Sequence, residues 1–428
     1  VNQSEWTAAL GARFLERFPA ETNPPAWRTL GREAEYPVVN PDGTGADISG
    51  LWKHLQAAGP HTLTTEGEMI TGVELADVTY SSEVGRGTIE VVLGPFEDLH
   101  QMKDTHERAM DRLRAAADAE GLIILGYGIQ PVTSGTPDWM TPKRRYQVLL
   151  DVLGETWLWF TLTASDQCHV SVHRDEVIAV TNLTNLLSPL SIALLANSPV
   201  FDGADSGFCS AREATMGRIH AGSFRHGMPA GPAADAEDWV RRSFGLEYLM
   251  HKDAAGQITP VREPFGAWLE SRDPSLDEAF TAWQYHDHYM WNSSRPRTVH
   301  GTVELRSPCQ QPWHEHMAAA ALGAGLVCGW REIAALIDAR LGANAWSIMR
   351  LWHGDVVKNG LAGAEPAPGL IADVLDLASQ ALAARGRGEE VYIAPLLRRL
   401  ADRRNPGQRA KEAFSAGGAA GLVETVRI

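Results

Sequence analysis

Gly31-Arg32-Glu33-Ala34-Glu35-Tyr36-Pro37-Val38-Val39 reads as a β-strand that runs into a turn at Pro41-Asp42-Gly43. Glu33 and Glu35 are two residues apart, so a strand aims both carboxylates at one face. Two other stretches repeat the pattern. Glu90 interrupts the apolar run Thr88-Ile89-Glu90-Val91-Val92-Leu93, with Glu83 seven residues earlier, and Glu304 sits in Gly301-Thr302-Val303-Glu304-Leu305-Arg306, sharing its face with Arg306. An ionised carboxylate in a buried strand is costly unless it is paired or bound to metal. Several on one face repel one another unless divalent cations lie between them. Hard cations such as Mg²⁺ take oxygen ligands and commonly bring nucleotide phosphates with them. Any one stretch has a plainer reading, as a solvated face or as a structural Glu304–Arg306 pair. The three together point to a cation-filled pocket.

Outward from these strands, residues 4–20 read as an amphipathic helix with Trp6, Leu10, Phe14 and Phe18 near helical spacing. Residues 47–58 are expected to be helical, and 62–94 to hold two or three short strands. Residues 97–120 form a long helix whose buried stripe includes Leu99, Met102, Met110, Leu113 and Ala117. Residues 122–128 read as an apolar strand and 165–174 as another. Ser188-Pro189 opens a helix that Asn197-Ser198-Pro199 stops. The Gly/Pro/Ala-rich stretch 225–240 reads as a mobile surface loop, 299–306 as a strand, and the chain from 314 onward as almost wholly helical. Strands without β-α alternation followed by clustered helices make an α+β chain.

The chain has 428 residues, 44% hydrophobic and 21% charged, ordinary proportions for a globular protein. About 150 residues per domain allows two or three domains or one large unit. A net charge of −15 argues against nucleic acid as a partner. The four cysteines form no C-x-x-C pair, so neither a zinc ribbon nor a disulfide scaffold is indicated. The longest uncharged apolar run, Met317 to Trp330, is shorter than a membrane span and reads as a buried helix. With no basic-then-apolar leader pattern, the expectation is a cytoplasmic protein away from membranes.

The P-loop, the H-E-x-x-H helix, the G-x-S-x-G elbow and a strand-to-helix G-x-G-x-x-G are all absent. Histidines cluster in sequence at His169 and His173, His286 and His288, and His314 and His316, which keeps a metal-dependent hydrolase in view. Histidines two apart at a helix start, such as His314 and His316, do not share a face, which weakens that case.

Several separate segments, in order, resemble the plant and proteobacterial type of glutamate–cysteine ligase, within the carboxylate–amine ligases related in fold to glutamine synthetase. Leu125-Gly126-Tyr127-Gly128-Ile129-Gln130-Pro131 is similar to L-G-x-G-x-Q-P, and Pro142-Lys143-Arg144-Arg145-Tyr146 to P-K-G-R-Y. Ala193 to Pro199 with Asp202-Gly203 is similar to A-L-x-A-N-S-P and its acidic-Gly pair. Gly207 to Arg212 is similar to G-F-x-S-x-R, Glu97 to Gln101 to E-T-L-H-Q, and Val303 to Arg306 to the x-E-x-R strand.

The resemblance implies a funnel of curved antiparallel sheet with helices outside. It implies a catalytic core over 1–330 and a helical extension packed on it over 331–428. ATP and Mg²⁺ are the implied cofactors, with small amino-acid substrates and a monomer or homodimer. Carried over, the metal-ligand candidates are Glu33, Glu35, Glu83, Glu90 and Glu304. Arg306 and Arg145, with Lys143, become phosphate contacts, and Arg212 a contact to a substrate carboxylate or phosphate. Arg306, Arg212 and Glu304 are the implied catalytic residues.

The implied chemistry is activation of a carboxylate, the γ-carboxylate of glutamate first, as an acyl phosphate, then attack by the amine of an amino acid, cysteine first. Such chemistry needs positioning and charge neutralisation rather than a covalent nucleophile. The family's E-P-G-G-Q-x-E-L-S-G reads Val84 to Leu93 here, keeping its final Glu, with Thr88 in place of Gln. Its Q-V-N reads Ser171-Val172-His173, and its R-G-A-D reads Arg306-Ser307-Pro308-Cys309. Thr88, Ser171 and His173 are therefore the expected substrate contacts. These departures leave open a diverged ligase with another donor or acceptor, and a non-catalytic relative.

Overall fold

The computed structural model describes residues 2–20, 27–219 and 225–428. Nine strands form its main sheet: β1 (Leu30–Val39), β2 (Thr62–Glu66), β3 (Met69–Glu74), β4 (Thr79–Ser82), β5 (Thr88–Phe96), β6 (Ile123–Ile124), β7 (Asp166–Ser171), β8 (Ser294–Arg297) and β9 (Thr302–Leu305). Their order is β8-β9-β7-β1-β5-β4-β3-β2, with β6 on the end of β1, and every pairing is antiparallel. The fold is α+β, as expected.

Register sorts the side chains. Glu35 lies opposite Glu90, Glu33 opposite Gln167, and His169 between Gly31 and Glu304. Because side chains alternate, these polar residues share one face. The other face carries Ala34, Tyr36, Ile89 and Val91, which pack on Ala109, Met110 and Leu113 of the helix Leu99–Ala119. Asp98 caps that helix by accepting from the Gln101 amide. Farther along the same face, Cys168, Val170, Val303 and Leu305 join a core that continues into the C-terminal helices. Ala318–Cys328, the apolar run expected to be buried, packs against β7 and against Leu370–Ala384. A Cβ at Gly325 would meet Ala378 Cβ at 2.8 Å, so glycine sets that helix approach. Among the described residues no single helix is long and apolar enough to cross a membrane.

Three expectations need correction. Only Ile123–Ile124 of the apolar run 122–128 is strand. Gly126 and Gly128 instead let the backbone lie against other segments: a Cβ at Gly126 would meet the Gln311 carbonyl at 2.7 Å, and one at Gly128 the Cys309 side chain at 2.6 Å. The stretch 225–240 is not all loop, since Asp235 caps a helix over Ala236–Phe244 that buries Trp239, Val240 and Phe244. Residues 62–94 contribute all or most of four strands, where two or three were expected.

On its core face the sheet buries one ion pair. The Arg32 guanidinium donates to both Asp166 oxygens at 2.7 and 2.8 Å, with both side chains essentially inaccessible. It also reaches His106 Nδ1 at 2.8 Å. Guanidinium only donates, so Nδ1 accepts and Nε2–H donates to the Tyr36 hydroxyl at 2.8 Å. Burial, helped by the Arg32 charge, pushes the His106 pKa well down and keeps the ring neutral. Removing one partner of such a pair strands a buried charge, at a cost of about 3–5 kcal/mol. Asp166→Ala should therefore lower unfolding stability by about that amount in a urea titration, and a loss below about 1 kcal/mol would contradict it.

Candidate active site

The polar face of the sheet lines a cleft of about 260 Å³. One end is acidic. Glu35 on β1, Glu90 on β5 and Glu83 in the β4–β5 turn each bring a carboxylate oxygen within 4.8 Å of the others. The turn is held in place by its neighbours. A Cβ at Gly85 would lie 1.9 Å from the Thr161 carbonyl, so the two backbones touch. Thr141 donates to the Val84 and Glu83 carbonyls, and Lys143 Nζ donates to the Ser82 carbonyl at 2.7 Å. The Pro142-Lys143-Arg144-Arg145-Tyr146 segment, expected to supply phosphate contacts, thus braces the Glu83 turn. Burial lowers the Lys143 ammonium to about 8, with the nearby Arg145 charge acting the same way.

Crowding shows in the carboxyl groups. Burial, then repulsion from Glu83, raises Glu35 to about 7, although it accepts from the Ser165 amide at 2.5 Å and from Gln167 Nε2 at 3.0 Å. Burial, then the Glu83, Glu33 and Glu35 charges, pushes Glu90 well above the ordinary carboxyl range. A second group, Glu33, His169 and Glu304, also brings its ligand atoms within 4.8 Å. His169 Nε2 lies 3.1 Å from Glu33 Oε1. Burial is the largest influence and acts to raise Glu33, but the His169 charge and hydrogen bond together with the Arg297 charge make the net shift downward.

The other end is basic. Glu304 is fully buried, with Arg295 Nε at 2.8 Å and Arg297 Nε at 3.2 Å, and it also pairs with Arg306. Burial acts to raise Glu304, but the Arg295, Arg306 and Arg297 charges hold it well below the carboxyl range. One carboxylate against three guanidinium groups leaves an excess of positive charge facing the cleft. Arg295 is fixed by donating to the His288 and Met290 carbonyls at 2.6 and 3.1 Å. Arg306 also donates to Gln167 Oε1 at 2.5 Å, and Arg212 donates to the Arg306 and Ser307 carbonyls. Arg145 stacks over Tyr146 at 4.7 Å. Tyr146, Trp157, Phe160, Tyr289 and Trp291 add an aromatic wall.

Of the sequence-derived candidates, Glu33, Glu35, Glu83, Glu90, Arg145, Arg212 and Arg306 line this cleft. Glu304 stands just under its arginines. Lys143, Thr88, Ser171 and His173 are not in its lining. Thr88 is buried opposite Pro37. The Ser171 hydroxyl bonds to Thr29, at the far end of β7. The expected strand stops at Ser171, so His173 falls beyond it, where its amide donates to Glu176 and its ring packs on Trp27. Arg295 and Arg297 are additional lining residues. Their period-two spacing in Ser294-Arg295-Pro296-Arg297 was the available signal. The histidines that cluster in sequence do not converge: among the described residues His169 alone joins a potential ligand group, while His286 stacks on Phe265 and His316 on Trp313. That removes the support for a histidine-built hydrolase centre.

The resemblance segments also meet in space. Asn197 Nδ2 donates to the Gly126 and Gln310 carbonyls, and the Arg212 amide donates to Ser198 Oγ. A family model described as glutamate–cysteine ligase family 2 matches residues 29–424. The chain belongs to that family. It is 28% identical over 288 residues to a Thermobifida fusca protein named, provisionally, glutamate–cysteine ligase 2, covering 67% of this chain and 60% of that protein. It is 29% identical over 284 residues to the chloroplastic glutamate–cysteine ligase of Arabidopsis thaliana, covering 64% of this chain and 53% of that one. The match thus spans little more than half the length of these relatives. In fold, this family member is similar to the crystal structure of the Francisella tularensis glutamate–cysteine ligase in complex with AMP. The TM-score is 0.54 at 12% identity, over 96% of this chain and 88% of that one.

The raised Glu35 carboxyl gives this family member a pH signature. Its folded-state pKa of about 7 exceeds the ordinary 4.5, so the folded chain keeps a proton there that the unfolded chain releases. That stabilisation is full below about pH 4.5 and is lost as pH rises through 7. Urea titrations at pH 5 and pH 7 without divalent cations should show wild type losing more stability over the interval than Glu35→Gln. Equal losses would contradict the shift.

Proposed function

We propose that this chain is an ATP- and Mg²⁺-dependent carboxylate–amine ligase, joining the γ-carboxylate of glutamate to the amine of an amino acid, with cysteine the first choice. The observation that carries this is the polarity of the cleft: three crowded carboxylates at one end and an arginine cluster at the other. Carboxylate oxygens are the donors Mg²⁺ prefers. The upward shifts of Glu35 and Glu90 are what a buried acidic set lacking its counter-charge produces, so the residues fit the metal. Glu35, Glu83 and Glu90 would hold the ion, whereas both Glu304 oxygens are engaged by Arg295, Arg297 and Arg306, so Glu304 serves as the counter-charge of that cluster instead. Bound there, Mg²⁺-ATP supplies the phosphoryl group and neutralises its charge.

The remaining work belongs to the chain itself. Arg306, with Arg295 and Arg297 beside it, binds the transferring phosphoryl oxygens, for which guanidinium is well suited. Arg212, buried and braced on two carbonyls, orients the carboxylate of the amino-acid donor. Arg145 closes the basic side next to Tyr146. The aromatic wall excludes water, which would otherwise compete with the amine. In this reading residues 1–330 are the catalytic core and 331–428 a helical extension packed on it.

A coupled ADP-release assay tests the proposal directly. ADP release should require glutamate, cysteine and Mg²⁺ together. Arg306→Gln should reduce kcat by about 10²–10³-fold, the loss typical when one preorganised charge contact is removed. Turnover unaffected by this variant, or no release over a panel of amino-acid pairs, would overturn the reading.

A further inference from the structure

A second cavity, of about 450 Å³, adjoins residues 287–292, the segment leading into β8. Trp239, Leu246 and Met290 give it apolar walls, and the turn around Ala230 closes one side. Its acidic group is Asp287, near the end of the helix Leu276–His288 and only 7% exposed. The Trp239 indole bonds that carboxylate. The neighbouring cations are committed elsewhere. Arg295 and Arg297 pair with Glu304. Arg242, which reaches the cavity lining, is bonded to Asp238 and to the carbonyls of Gly231 and Pro232. Burial raises the Asp287 carboxyl to about 6, although the nearby Arg295 and Arg297 charges act to lower it.

A single carboxylate among apolar walls, with Arg242 held by Asp238 and the other polar lining residues, Ser243 and Asn292, bonded within the chain, selects a compact cation with an apolar body. We propose that this cavity binds a small organic amine, its ammonium group on Asp287 and its apolar body against Trp239, Leu246 and Met290. A carboxylate in the same place would meet Asp287 with like charge and find no uncommitted guanidinium. The cavity is also wired to the cleft. The His288 and Met290 carbonyls, one and three residues after Asp287, are the ones that hold Arg295 in place. This binding proposal stands whether or not the ligase reading holds.

Isothermal titration of the full chain with phenethylamine, and with phenylacetate as the anionic counterpart of similar size, tests it. Phenethylamine should bind with a Kd at or below about 1 mM, and phenylacetate should not compete. Asp287→Asn should weaken binding at least about tenfold, and Leu246→Trp, which fills the chamber from another wall, should abolish it. If Asp287→Asn fails to fold, Leu246→Trp decides. No binding of phenethylamine, equal competition by phenylacetate, or unchanged affinity in Leu246→Trp would overturn the proposal.

Discussion

Like charge packed onto one face of a sheet is the constraint around which the rest is organised. Strand pairing brings Glu35 opposite Glu90, and a clamped turn adds Glu83. Water reaches these half-buried carboxylates only through the cleft, and without a cation two of the three lean toward the protonated state. Two strands away the opposite imbalance is built, with three guanidinium groups around Glu304. A cleft that is electron-rich at one end and cationic at the other is suited to a metal-bound polyanion lying across it. Neither end gains from burial as such; each is costly until it meets its complement.

The rest of the molecule holds these two ends at fixed separation. The face opposite the cleft is apolar apart from the Arg32–Asp166 pair and its His106–Tyr36 relay, and it seats the long helix Leu99–Ala119. The C-terminal helices extend that core rather than lining the cleft. Glycines at 85, 126 and 128 are sites of close backbone approach, which explains why the motif segments around them can lock together without strand pairing.

Much of this was legible in the sequence because the side-chain period of a strand is two. That rule alone put Glu33 with Glu35, and Glu304 with Arg306, on common faces, and it singled out Glu90 as an acid where an apolar residue belonged. What it could not show was which strands lie side by side. His169 stood out only as one of many histidines, since its partnership with Glu33 and Glu304 comes from β7 lying between β1 and β9. Arg295 and Arg297 were hidden because proline between them masks a short strand. The run 122–128 looked like a strand because apolar composition does not reveal that two glycines serve contacts rather than a ladder. The helix Ala236–Phe244 was obscured by the Gly/Pro/Ala-rich residues that precede it.

The central claim is that the carboxylate end of the cleft is protonated in part until a divalent cation fills it. Titrating Mg²⁺ into the full chain at pH 6.5, by calorimetry in buffers of different ionisation heat, measures this directly. The account predicts that protons leave the protein as Mg²⁺ binds, and that both the binding and the proton release are lost in the Glu35→Gln/Glu90→Gln double variant. Mg²⁺ binding with no proton release, or equal binding by that variant, would contradict it.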